Sequence, residues 1–181
     1  MPQTNSEALA PTLNMLMNGE FRAAHIYFQA AAWCEDAKLA GSAQFFLTHA
    51  SEEMMHMQKI YQYIVDADLS ARFEALPEPK IEANSLVSLL QEIYQHEKLV
   101  SERFIKATKE ADQAGDLSTF EFLQWFIVEQ REEEMLFRGI LDRAAVIGDG
   151  PHSLYYIDTE IAKIAAAAVA AASATPAGGG A

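Results

Sequence analysis

Residues 46–63 read Phe46-Leu47-Thr48-His49-Ala50-Ser51-Glu52-Glu53-Met54-Met55-His56-Met57-Gln58-Lys59-Ile60-Tyr61-Gln62-Tyr63, and two patterns overlap in them. Steps of three and four join Phe46, His49, Glu53, His56, Ile60 and Tyr63, the spacing by which a helix turns one stripe toward a core. The stripe is apolar at its ends and polar in its middle. A carboxylate and two imidazoles therefore stand where leucine or isoleucine would ordinarily pack.

Working outward, three more segments repeat the pattern. The first runs Leu9, Leu13, Leu16, Glu20, Ala23, Tyr27, Ala30, Cys34; another runs Leu86, Leu90, Ile93, Glu97, Val100, Phe104; the last runs Leu123, Phe126, Gln130, Glu133, Phe137, Ile140. Pro and Gly are sparse before the carboxyl end, and β-branched residues form no alternating runs. The chain is predicted to be all-α, with helices at 8–37, 41–68, 85–112, 117–147 and 154–170. Breaks fall at Lys38 to Gly41, at Pro77 and Pro79, at Ala114-Gly115 and at Gly148 to Pro151. Pro11 fits the first turn of a helix, which argues for a late start there. The 181 residues, half of them hydrophobic, suit one domain, taken as 1–172, followed by a low-complexity and mobile tail over 173–181.

Connection lengths set the topology. Short turns make helices one and two, and likewise three and four, antiparallel neighbours. Residues 69–84 can stretch to roughly 50 Å, whereas a helix of the third segment's length is about 42 Å long. That connection can cross the whole bundle and restart the third helix level with the start of the second. Glu20 and Glu53 are equidistant from the first turn, and Glu97 and Gln130 from the second; Glu53 and Glu97 lie equally far along their own helices. Four helices thus bring Glu20, Glu53, His56, Glu97, Gln130 and Glu133 to one layer.

A formal charge of −13 and a pI near 4.7 repel nucleic acid and anionic membranes and favour multivalent cations. The single cysteine, Cys34, excludes an intrachain disulfide and any four-cysteine metal site, and reads as a small buried apolar residue. The amino terminus has no basic start followed by a long apolar run, and no stretch is long enough to span a membrane; cytoplasmic residence is the expectation. Four carboxylates and an imidazole in an apolar layer need cations or protons, since each uncompensated charge costs several kcal/mol. Two divalent ions would neutralise the four acids. Oxygen donors with one imidazole suit iron or manganese, with zinc as an impostor. Two close ions bridged by carboxylate can pass electrons to O2 or peroxide, which favours iron.

One Glu from each of two helices and Glu-x-x-His from each of the other two is the ferritin-like carboxylate pattern. This chain has one such motif, Glu53 to His56, and Gln130-Arg131-Glu132-Glu133 in place of the second. With Asn18-Gly19-Glu20, Tyr94-Gln95-His96-Glu97, Phe122 to Trp125 and Leu154-Tyr155-Tyr156-Ile157-Asp158, the set resembles bacterial non-haem ferritin over roughly 7–165. The resemblance implies a ferritin-like four-helix bundle with a long crossover between helices two and three and a short fifth helix. It implies Glu20, Glu53 and His56 as ligands of one iron. Glu97 and Glu133 would hold a second, with Glu53 bridging and Gln130 a weak ligand or hydrogen-bonder. Glu52, Glu129 and Glu132 would form a third iron site facing a cavity.

Tyr27, two turns beyond Glu20, can hydrogen-bond a ligand carboxylate and lend an electron. Trp125 is a lesser redox candidate, read chiefly as core packing. Met54 occupies the place where bacterioferritins carry a haem-ligating methionine, but the Gln-x-x-Glu departure makes haem unexpected. The implied activity is ferroxidation of Fe(II) by O2 or H2O2, with mineral stored in a cage of 24 subunits whose fifth helices lie near fourfold axes. Alternatives are a di-iron peroxidase or oxygenase that stores nothing, and a haem-binding bacterioferritin. A DNA-protecting mini-ferritin is disfavoured by the charge.

Overall fold

Helical periodicity becomes four long helices and a shorter fifth in the structure, a computed structural model that describes residues 5–150 and 152–174. They are α1 (Asn5–Asp36), α2 (Ala40–Asp66), α3 (Leu86–Ala114), α4 (Leu117–Ile147) and α5 (Ser153–Ala174). Among the described residues there are no strands. The all-α bundle matches the expectation, with ends shifted by a few residues. The tail expected over 173–181 lies, beyond its first two residues, outside the described part.

Two sequence readings of the helix ends change. Helix α1 begins at Asn5, so Pro11 stands in its second turn. An interior proline withholds one N–H from the ladder; the ring faces solvent while Leu9 and Leu13 bury the other side of that turn. Gly41 was read as a break and instead lies inside α2. The left-handed residue of that turn is Lys38, at φ 62°, a conformation that costs a non-glycine residue roughly 1–2 kcal/mol. Gly41 is small because α5 crosses it: an added Cβ would lie 2.6 Å from the Asp158 carbonyl oxygen and 2.8 Å from Ala162 Cβ.

The same crossing completes α2. Its N-cap residue, Leu39, has no side chain to offer the first turn, and exposed N–H groups there need acceptors. Asp158 supplies them from α5, accepting from Gly41 N at 3.2 Å and from Ser42 N and Ser42 Oγ at 2.7 Å each. Helices α3 and α4 are capped locally, by the Ser85–Ser88 box and by Asp116 respectively. Gly115, at φ 68°, ends α3 in the left-handed cap.

The crossover runs along α1. Asn14 and Asn18, one turn apart, grip its backbone: Asn14 Nδ2 donates to Ser70 O, Arg72 N donates to Asn14 Oδ1, Asn18 Nδ2 donates to Arg72 O, and Glu74 N donates to Asn18 Oδ1. Two amides thereby imitate a strand partner for an irregular segment. As anticipated, α3 restarts beside the beginning of α2, with Leu86, Leu89 and Leu90 in one apolar cluster with Leu39, Ala43 and Phe46. A second apolar cluster, built on Leu13, Leu16, Ile60, Phe104 and Phe126, fills the far end. Between the two lies the polar layer.

Replacing Asp158 with Ala should cost roughly 1–2 kcal/mol and lower the melting temperature by several degrees. Gly41→Ala should loosen α5 and speed protease cutting between α4 and α5. Unaltered melting and cleavage in both variants would show that α5 docks without this latch.

Candidate metal centre

Each helix delivers its polar residue by interrupting an otherwise apolar stripe, and the six land together. Glu20, Glu53, His56, Glu97, Gln130 and Glu133 are all buried, none more than 8% exposed. Glu20 from α1 meets Glu53 and His56 from α2: His56 Nδ1 lies 3.4 Å from Glu20 Oε2 and 3.4 Å from Glu53 Oε2. All three of these atoms are enclosed without a hydrogen-bond partner. Three enclosed donor atoms converging on one point, none with a hydrogen-bond partner, is the arrangement a cation would complete.

The other half is tied by hydrogen bonds. Glu97 Oε1 accepts from Tyr27 Oη at 2.8 Å, and Glu97 Oε2 accepts from Gln130 Nε2 at 3.1 Å. His96 Nδ1 lies 3.3 Å from Glu97 Oε1 and is 19% exposed at its side chain. Tyr27 is wholly buried against Phe46, His49 and Phe137, so its hydroxyl is fixed on the Glu97 carboxylate.

Electrostatics show how costly the layer is without metal. Burial lifts the Glu53 carboxyl well above its usual range, and the charges of Glu20 and Glu97 add to that. Burial does the same to Glu133, with Glu97 and Glu52 adding to it. For His56, burial favours the neutral ring, but the adjoining Glu20 and Glu53 carboxylates outweigh it and push the imidazole up to about 10. Without metal, positive charge comes from protons on this layer; a divalent ion would replace them.

Glu133 also meets a histidine from α2. Its Oε2, enclosed and without a hydrogen bond, lies 3.6 Å from His49 Nε2, and Glu52 Oε2 lies 3.9 Å from the same nitrogen. His49 Nδ1 sits 2.9 Å from the Phe45 carbonyl oxygen. That contact favours the proton on Nδ1 and leaves the Nε2 lone pair facing the two acids. These three residues form a second group able to hold a metal ion, beside that of Glu20, Glu53 and His56.

Sequence reasoning placed His49 on the stripe and gave it no role. The turn-distance rule could have found it, because His49 stands one turn from Glu53 in the same direction that Glu133 stands from Gln130. Glu52, Glu129 and Glu132, singled out together, do share one cavity of about 270 Å³, with His49, Glu133 and Ile164 of α5 on its walls. Glu129 is half-buried and Glu132 exposed.

One other residue sits differently from the expectation. Trp125 is not core: it is 40% exposed, in T-shaped contact with His56. Met54 packs partly buried against the far apolar cluster, and Met55 is the exposed methionine of the pair.

This geometry agrees with comparison to known proteins. A family model described as a ferritin-like domain matches residues 11–146. A bacterial non-haem ferritin of Escherichia coli O6:H1 is 38% identical over 152 residues, covering 84% of this chain and 92% of that protein. A probable bacterial non-haem ferritin-like protein of Haemophilus influenzae is 36% identical over 159 residues, covering 88% and 96%. Among solved structures, an open pore ferritin from Archaeoglobus fulgidus superposes with a TM-score of 0.83 at 28% identity, covering 86% of this chain and 95% of that one. A matched span longer than half the chain, relatives above one-third identity and a shared bundle lead to one conclusion: the chain belongs to the ferritin family.

Proposed function

We propose that the protein is an iron-storing ferritin subunit that binds two Fe(II) ions in its buried layer and oxidises them with O2 or H2O2. The observation that carries this reading is the convergence of Glu20 Oε2, Glu53 Oε2 and His56 Nδ1, enclosed and without hydrogen-bond partners. Glu20, Glu53 and His56 would hold one ion; Glu97 and Glu133 would hold the other, with Glu53 between them. Two Fe(II) supply the two electrons that take O2, with two protons, to H2O2.

The protein's own part is to bind, orient and keep the site dry. Gln130 steadies Glu97 through its amide. Tyr27 holds the other Glu97 oxygen and is placed to give an electron, its phenolic proton passing to the carboxylate. Glu52, Glu129 and Glu132, with His49 and Glu133 behind them, would make a third iron site where the product leaves the layer for the interior of a cage of 24 subunits. No haem is assigned. Among the described residues no helix is long and apolar enough to cross a membrane, and cytoplasmic residence remains part of this reading.

Aerobic Fe(II) loading followed by size-exclusion and mass measurement tests storage directly. A cage-sized particle that retains many irons per subunit is expected; a dimer that turns iron over and keeps none would favour the non-storing di-iron oxidase instead. Glu53→Ala combined with Glu97→Ala should slow stopped-flow Fe(II) oxidation by about a hundredfold or more; a wild-type rate would refute the assignment. Glu129→Ala with Glu132→Ala should remove one Fe(II) per subunit in anaerobic titration and leave the buried pair bound. Unchanged stoichiometry would remove the third site.

A further inference from the structure

One arrangement above the buried layer has no part in metal holding. Trp125 of α4 meets His56 in a T-shaped contact, centroids 5.4 Å apart and planes at 77°. Over the indole, Lys59 of α2 holds its ammonium 4.2 Å from the ring centroid. Lys59 and His56 are three positions apart on α2, so one helical face presents both groups to one ring. The second tryptophan, Trp33, packs partly buried against the apolar cluster of Leu39, Phe46 and Leu86 and has no such cation over it among the described residues.

We propose that Lys59 is a positioning residue that keeps Trp125 reduced while iron is oxidised next to it, leaving Tyr27 as the side chain that yields an electron. This rests on the ferroxidase reading above. The two rings are prepared in opposite ways. Tyr27 already donates its hydroxyl to Glu97 Oε1, so loss of an electron can be accompanied by transfer of the proton, and a neutral phenoxyl results. Trp125 must first become a radical cation. An ammonium over its face attracts the neutral ring through the quadrupole and repels the cation that oxidation would create. Both effects make the electron harder to remove. Glu129, one turn beyond Trp125 on α4, feels both Lys59 and His56; its charge offsets part of this from the side rather than from the ring face.

The suppressed step is defined. Fe(II) and H2O2 give Fe(III), hydroxide and hydroxyl radical; the radical takes one electron from the indole and becomes hydroxide, and the indole radical cation sheds its N–H proton to water. In the absence of iron, azide radical performs the same one-electron removal and becomes azide.

Lys59 is exposed, so Lys59→Met and Lys59→Arg should leave the fold intact, and Arg preserves the cation over the ring. Wild type and both variants would be loaded with Fe(II) and H2O2, and in a separate arm the metal-free proteins would be exposed to radiolytically generated azide radical. Both arms are run in air, so that the indole radical combines with superoxide formed from dissolved O2 and takes up a proton to give a hydroperoxide; peptide mass spectrometry then reads the one or two oxygen atoms retained at Trp125, with Trp33 as internal control. Lys59→Met should raise Trp125 oxidation by about fivefold or more in both arms, with Lys59→Arg near wild type and Trp33 unchanged. Equal Trp125 oxidation in wild type and Lys59→Met in the azide arm would overturn the proposal at Lys59. A normal azide arm with no Fe(II) oxidation by wild type would overturn it through its premise.

Discussion

Four carboxylates enclosed in one layer of a helical bundle repel one another, and the rest of this molecule is arranged around that repulsion. Each uncompensated charge in such a place costs several kcal/mol. In the metal-free form burial lifts the Glu53 and Glu133 carboxyls and the adjoining carboxylates lift His56, so each of the three holds a proton more readily than it would in water. A pair of divalent ions would meet the cost better. The two apolar clusters on either side hold the layer in place, because neither end of the bundle can open without exposing large side chains such as Phe46, Phe137, Phe104 or Phe126.

Bringing four helices into one register demands that the second connection do unusual work. A short turn there would set α3 antiparallel to α2 and move Glu97 away from the level of Glu53. The crossover instead spans the bundle, and the Asn14 and Asn18 amides bind its backbone to α1 as it passes. The chain thus couples an irregular surface segment to the height of a buried carboxylate in the helix that follows it.

Around the layer the environment changes with direction. Toward Tyr27, Phe46 and Phe137 it is aromatic and closed. Toward Glu52, Glu129 and Glu132 it opens through His49 and Glu133 into an acidic cavity partly walled by α5. Toward Trp125 it is capped by an indole carrying a cation. A dry side, an acidic exit and a guarded ring are different answers to one requirement, which is to let a metal ion change charge while the protein around it stays unaltered.

Much of this was legible in the residues. The stripe periodicity, the equal distances of Glu20 and Glu53 from one turn and of Glu97 and Gln130 from the next, and the length of the crossover are local properties of the chain, so they determined the bundle and the membership of its polar layer. What they left open depends on how helices distant in sequence rotate and lean against one another. Gly41 read as a break, because only the approach of Asp158 and Ala162 from α5 shows why a side chain is excluded there. His49 read as one more stripe residue, because its role follows from the direction in which Glu133 of α4 faces it. Trp125 read as core, because the stripe predicts only the side of α4 it occupies and not how far the neighbouring helices cover it. Periodicity along a helix specifies which face is turned inward; contacts between faces of helices distant in the chain were settled only by the packed tertiary structure.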